Sequence, residues 1–112
     1  MNALALVIGN ASYVIDKDKL VNAVNDADDF GLKLLNLGFV VKKITDCGRE
    51  TFDREVRAFG EELKKFDVGL FYFSGHGLQI EGRNYLTSID TSVSSPELDY
   101  SKVDFFNDLL LI

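Results

Sequence analysis

The chain has 112 residues, 46% of them hydrophobic and 27% charged, with a formal net charge of −6. Such a mix suits one ordinary domain with a modest core, and the acidic balance argues against non-specific nucleic-acid binding while leaving room for a basic partner or substrate. A single cysteine, Cys47, excludes an intramolecular disulfide and points to a reducing, cytoplasmic setting; no run approaches the ~18 apolar residues of a membrane-spanning helix.

The first nine residues lack a basic n-region, so the unbroken apolar run Leu4 to Ile8, closed by Gly9-Asn10, reads as a buried central strand and not as a signal peptide. Ala11 to Val21 is polar and charged and is expected to be a surface loop. Ala23, Ala27, Phe30, Leu34 and Leu37 recur at four-three spacing and predict a helix, with Asp26, Asp28 and Asp29 near its positive end and Gly38 as its C′ residue. Phe39 to Ile44 reads as a second strand, placed near a sheet edge by Lys42 and Lys43. Phe52, Val56, Phe59, Leu63 and Phe66 repeat the helical spacing over Thr51 to Phe66, with Thr51 placed to cap the start.

Val68 to Phe73 is the most apolar strand of the chain and runs into Ser74-Gly75-His76-Gly77. Gln79 to Leu86 alternates around Glu81-Gly82 as a hairpin does. Residues 87 to 100 read as loop, and Ser101-x-x-Asp104 ahead of Phe106, Leu109 and Leu110 predicts a third helix with a capping box. Strand-helix-strand-helix-strand calls for an α/β three-layer sandwich with a mostly parallel central sheet, right-handed crossovers placing helices on both faces. With strands one and three adjacent, ligands bind beyond their carboxyl ends, where Asn10 and the Ser74 to Gly77 turn meet.

That turn is the most informative feature of the chain. Two glycines bracket a histidine at the end of a buried strand, which lets the backbone approach a ligand closely and aims the N–H of Gly77 outward, where a developing oxyanion can be held. The same pattern also suits a histidine satisfied within a turn.

Four segments in series resemble one family. Leu4-Ala5-Leu6-Val7-Ile8-Gly9-Asn10-x-x-Tyr13, Leu20-x-Asn22-Ala23-x-Asn25-Asp26-Ala27, Leu37-Gly38-Phe39 and Asp67 to Gly77 are similar, in order and spacing, to caspase-like and metacaspase-like cysteine peptidases of the C14 type. The resemblance implies proteolysis of protein or peptide substrates. His76 is then the general base and acid beside a thiol, and Gly77 an oxyanion donor. Asp26 helps line a pocket that favours Arg or Lys at the residue before the cleaved bond, and Ser74 helps shape it. An acid in the first turn of a helix also needs no function beyond the helix dipole.

The resemblance places the nucleophilic cysteine at the end of a fourth strand, beside the third, and no cysteine follows His76 here. The expectation is therefore the N-terminal portion of a single peptidase domain over residues 1–112, inactive by itself. It awaits a C-terminal portion or companion chain that brings the cysteine. Cys47 follows the second strand, about 9–10 Å from the third across one intervening strand, too far for a dyad that needs contact at roughly 3 Å.

One histidine and one cysteine make no zinc site, and the Walker and dinucleotide glycine patterns are absent. No cofactor is expected, with calcium at Asp26, Asp28 and Asp29 the one alternative, since some metacaspase-like peptidases need it. Two other functions stay open. One is a catalytically inactive caspase-like module for interaction or dimerisation. The other is a flavodoxin-like binding domain using Gly9-Asn10-Ala11-Ser12 as its loop. An exposed apolar third strand at the sheet edge is expected to recruit the missing portion or a second copy.

Overall fold

The computed structural model describes residues 2–91 and 103–105. Its elements are β1 (Ala3–Gly9), α1 (Ala23–Asn36), β2 (Val40–Thr45), α2 (Arg49–Glu62), β3 (Val68–Ser74), β4 (Gly77–Ile80), β5 (Arg83–Thr87) and β6 (Val103–Phe105). β1, β2 and β3 form a parallel sheet in the order β2-β1-β3, with Leu4 opposite Val40 on one side and Gly69 on the other. β1 is the middle strand and all seven of its residues are buried, which is why its sequence is apolar without alternation.

The pleat divides the core in two. Leu4, Leu6 and Ile8 face α2 and pack with Phe52, Phe59, Phe71 and Phe73. Ala5 and Val7 face α1 and pack with Ala27, Leu34, Phe30 and Tyr72. The Phe30 and Tyr72 rings stack at 4.3 Å between centroids. This is an α/β layered fold with a central parallel sheet flanked by helices, as the periodicities predict. Gly38, at φ 94°, closes α1 in the left-handed conformation that glycine adopts without steric cost, as expected of a C′ residue.

β4 and β5 form the expected hairpin, pairing Gly77 with Leu86 through Ile80 with Arg83. Its two-residue turn has Glu81 and Gly82 at φ 51° and 78°, the positive pair of a type I′ turn.

Three expectations are corrected. Ala11 to Val21 is a loop containing one 3₁₀ turn, but it is not all at the surface: Ala11, Tyr13 and Asp18 are buried, because this segment folds back beneath the hairpin. Thr51 does not cap α2, which starts two residues earlier; Asp90 Oδ2 accepts the Arg49 N–H at 3.3 Å, and Ser88 Oγ donates to Asp90 Oδ1 at 2.6 Å. Where the capping box predicts a third helix, Val103–Phe105 is strand β6, paired antiparallel with β5. A free β5 edge recruits backbone partners, and Val-Asp-Phe has the alternation a strand favours. The rest of that predicted helix, and residues 92 to 100 of the predicted loop, lie outside the described residues. Among the described residues no helix is long and apolar enough to cross a membrane.

Candidate active site

β1 and β3 end in register, Gly9 opposite Ser74, and the chain leaves both strands at the same rim. Asn10 ties this rim together. Its N–H donates to Ser74 O at 2.8 Å, its Nδ2 donates to Thr87 O at 3.0 Å, and its Oδ1 accepts the Cys47 N–H at 3.0 Å. The side chain is fully buried, so these bonds replace the water it has lost. Asp46 adds a second clamp, its Oδ1 accepting the N–H groups of Ala11 and Ser12, both at 2.9 Å.

His76 sits half-buried just beyond β3. Its Nε2 lies 2.6 Å from the backbone carbonyl oxygen of Asp18. A carbonyl only accepts, so in the neutral ring Nε2 carries the proton and Nδ1 keeps the lone pair of a base. The backbone of His76 is held by a closed cycle. His76 N–H donates to Tyr13 Oη at 2.9 Å, and Thr87 Oγ1 donates to His76 O at 2.9 Å. That bond uses the threonine proton, so in the 2.8 Å contact between the hydroxyls Tyr13 is the donor. The Tyr13 ring also meets the imidazole edge-on, with centroids 4.8 Å apart. Burial pushes the Tyr13 hydroxyl above the usual tyrosine value of 10.0, against the pull of its bonds to Thr87 and His76. Gly75 is needed beside it: a Cβ there would stand 2.7 Å from Phe73 Cζ and 2.8 Å from Tyr13 Oη.

Gly77 opens β4 at the edge of the second sheet. Counted outward from the two-residue turn, Ile80–Arg83 and Leu78–Tyr85 are the hydrogen-bonded pairs of the ladder. Gly77 and Gln79 therefore turn their N–H and C=O groups away from β5. Ser74, Gly75, His76 and Gly77 thus share one turn with Asn10 beneath it. Asp26 stands apart, exposed in the first turn of α1, with its N–H on Asn22 O and its carboxylate in no hydrogen bond or ion pair among the described residues.

Cys47 is 4% exposed and packs in the core on the α2 side with Ile8, Phe52 and Leu86. Asn10 and the Tyr13–Thr87 pair lie along the hydrogen-bonded route from Cys47 to His76. Among the described residues no three His, Cys, Asp or Glu side chains converge as a metal site, and Asp28 of the acidic cluster pairs with Lys43 at 2.5 Å.

Sequence reasoning missed Thr87, Asp46 and the Asp18 carbonyl. Asn10 and Tyr13 stood in the opening motif, where their types gave a signal but no role. A backbone carbonyl gives none, because every residue has one.

In a comparison with models of protein families, residues 2–110 match the caspase domain of peptidase family C14. A comparison with curated proteins gave no match.

Proposed function

The chain belongs to the caspase domain family, and on that premise we propose that it supplies the histidine half of a cysteine endopeptidase site. The observation that carries this reading is the imidazole at the rim of β1 and β3, its Nε2 engaged by the Asp18 carbonyl at 2.6 Å and its Nδ1 left as the base.

In this reading Nδ1 takes the proton of a thiol, and the thiolate attacks the substrate carbonyl carbon to form a C–S bond. The oxygen gains the negative charge and is met by the Gly77 N–H. Collapse breaks the C–N bond, and the imidazolium returns its proton to the leaving amine. Water, deprotonated by the same imidazole, then cleaves the acyl-enzyme and restores the thiol. Asp26, with a free carboxylate at the mouth of α1, and Ser74 select Arg or Lys before the cleaved bond, the preference of the metacaspase-like subtype.

The thiol is not Cys47. A buried side chain in the α2-side core reaches neither substrate nor imidazole without dismantling the Asn10 bonds. We assign the nucleophile to chain outside residues 1–112, in a following segment or a companion. The edge of β3 supports this: among the described residues β3 pairs only with β1, and a parallel strand added at about 4.8 Å would end beside His76. The reaction belongs to a reducing, cytoplasmic setting, which suits an unpaired thiol. A second reading, a caspase-fold interaction or dimerisation module without chemistry, draws its support from the burial of the sole cysteine.

Cleavage of Arg- and Lys-containing peptides separates the two. The protein joined to its cysteine-bearing segment is expected to cleave them, and His76→Ala to lower the rate by ~100-fold or more. Asp26→Asn is expected to weaken the Arg/Lys preference roughly tenfold. Residues 1–112 by themselves are expected to cleave nothing. A completed protein that binds its partner but cleaves no peptide sinks the peptidase reading and leaves the interaction module.

A further inference from the structure

We infer that the free edge of β4 is a peptide-binding edge, taking an extended stretch of the polypeptide substrate as an added strand that starts at the oxyanion position. This rests on the peptidase reading and extends it to how substrate is held.

β4 is the terminal strand of its sheet, and among the described residues nothing pairs with its outer side. The register turns the N–H and C=O groups of Gly77 and Gln79 to that side. These two residues are both exposed, and their outward groups are spaced about 6.8 Å apart, the repeat of an extended partner. A groove of about 340 Å³ lies over one face of the hairpin, spanning both strands beside this edge, and is lined by Gly77, Leu78, Gln79, Asn84, Tyr85 and Leu86. The occupant is set by continuity with the proposed site. Gly77 adjoins His76 in sequence, so a peptide whose scissile carbonyl meets the Gly77 N–H brings the residue two positions away to Gln79. Strand addition of this kind draws affinity from the backbone and specificity from alternate side chains.

The other exposed edges offer less. The outer edge of β2 carries Lys42 and Lys43, a pattern that discourages strand addition, and these lysines are already paired with Glu55 and Asp28. The edge of β3 is the place assigned above to the strand bearing the thiol.

The test is amide-resolved NMR of the labelled protein titrated with an unlabelled extended peptide containing arginine. Shifts and slowed exchange at Gly77 and Gln79 are expected. Gln79→Pro removes one outward N–H without touching a hairpin bond, and is expected to weaken binding roughly fivefold to tenfold, the worth of one hydrogen bond. Gln79→Ala keeps the backbone and is expected to bind like the parent. Shifts confined to β2 or β3, Gln79→Pro binding undiminished, or no binding at all would overturn the inference. The two readings fail separately: cleavage by the completed protein that Gln79→Pro leaves unchanged removes the β4 edge but not the peptidase. A β4 response in a completed protein that cleaves no peptide removes the peptidase but not the edge.

Discussion

Tyr13 shows how much of this site depends on single hydroxyl groups. It is fully buried in a loop whose composition reads as surface, and it holds the backbone of His76 at one end of a closed cycle with Thr87. Tyr13→Phe leaves the His76 N–H and the Thr87 hydroxyl each short of a partner, so it is expected to cost about 1–3 kcal/mol in urea unfolding at neutral pH. The same side chain predicts an alkaline effect. Its folded-state pKa is raised above 10.0, so its contribution is fully present below that value and is lost as pH rises through the higher folded value. Stability measured from about pH 9 to 11 is expected to fall more steeply in the parent than in Tyr13→Phe. Parallel curves would show that Tyr13 does not titrate as its burial requires. Cys47 makes the complementary case. Its 4% exposure predicts negligible alkylation by iodoacetamide in the folded protein and full labelling once unfolded. Rapid labelling under native conditions would reopen Cys47 as a reactive thiol.

Among the elements, those with long apolar periods were legible and those set by distant contacts were not. α1, β1, β2 and β3 fall where four-three spacing and apolar runs place them, because each contributes side chains to one or both of the two core clusters. The start of α2 escaped because its cap, Asp90, is 41 residues from the Arg49 N–H it receives; no local pattern encodes that pairing. β6 escaped because the capping box is a local signal, whereas the edge of β5 that recruits Val103–Phe105 exists only after the hairpin has formed. Two variants test these element ends. Asp90→Ala is expected to cost about 1 kcal/mol, typical of a lost N-terminal cap, with the loss visible as faster amide exchange in the first turn of α2. Glu81→Asn relieves a left-handed residue that is neither glycine nor asparagine, and is expected to gain roughly 0.5–1 kcal/mol by thermal unfolding. A loss of stability in Glu81→Asn would mean that Glu81 holds the turn through its side chain.

At the scale of the whole molecule, the sheet order β2-β1-β3 converts a linear set of motifs into a site. His76, Gly77 and Ser74 were legible as a turn, and their meeting with Asn10 followed from the topology. The Asp18 carbonyl, the Tyr13–Thr87 cycle and the outward face of β4 come from the three-dimensional path of loops that composition describes only as polar. The same topology places Cys47 in the core and His76 at the rim, with Asn10 and Thr87 hydrogen-bonded between them, so the imidazole proposed as a base stands at the rim and the cysteine thiol lies in the core. Both halves of that statement are tested by exposing the protein in its full native length to a peptidyl-arginine electrophile and mapping the modified residue by mass spectrometry. The expected result is covalent label on a cysteine other than Cys47, retained in Cys47→Ala and lost in His76→Ala. Label on Cys47, or label on any thiol that His76→Ala leaves undiminished, would contradict the assignment of His76 as the base of this site.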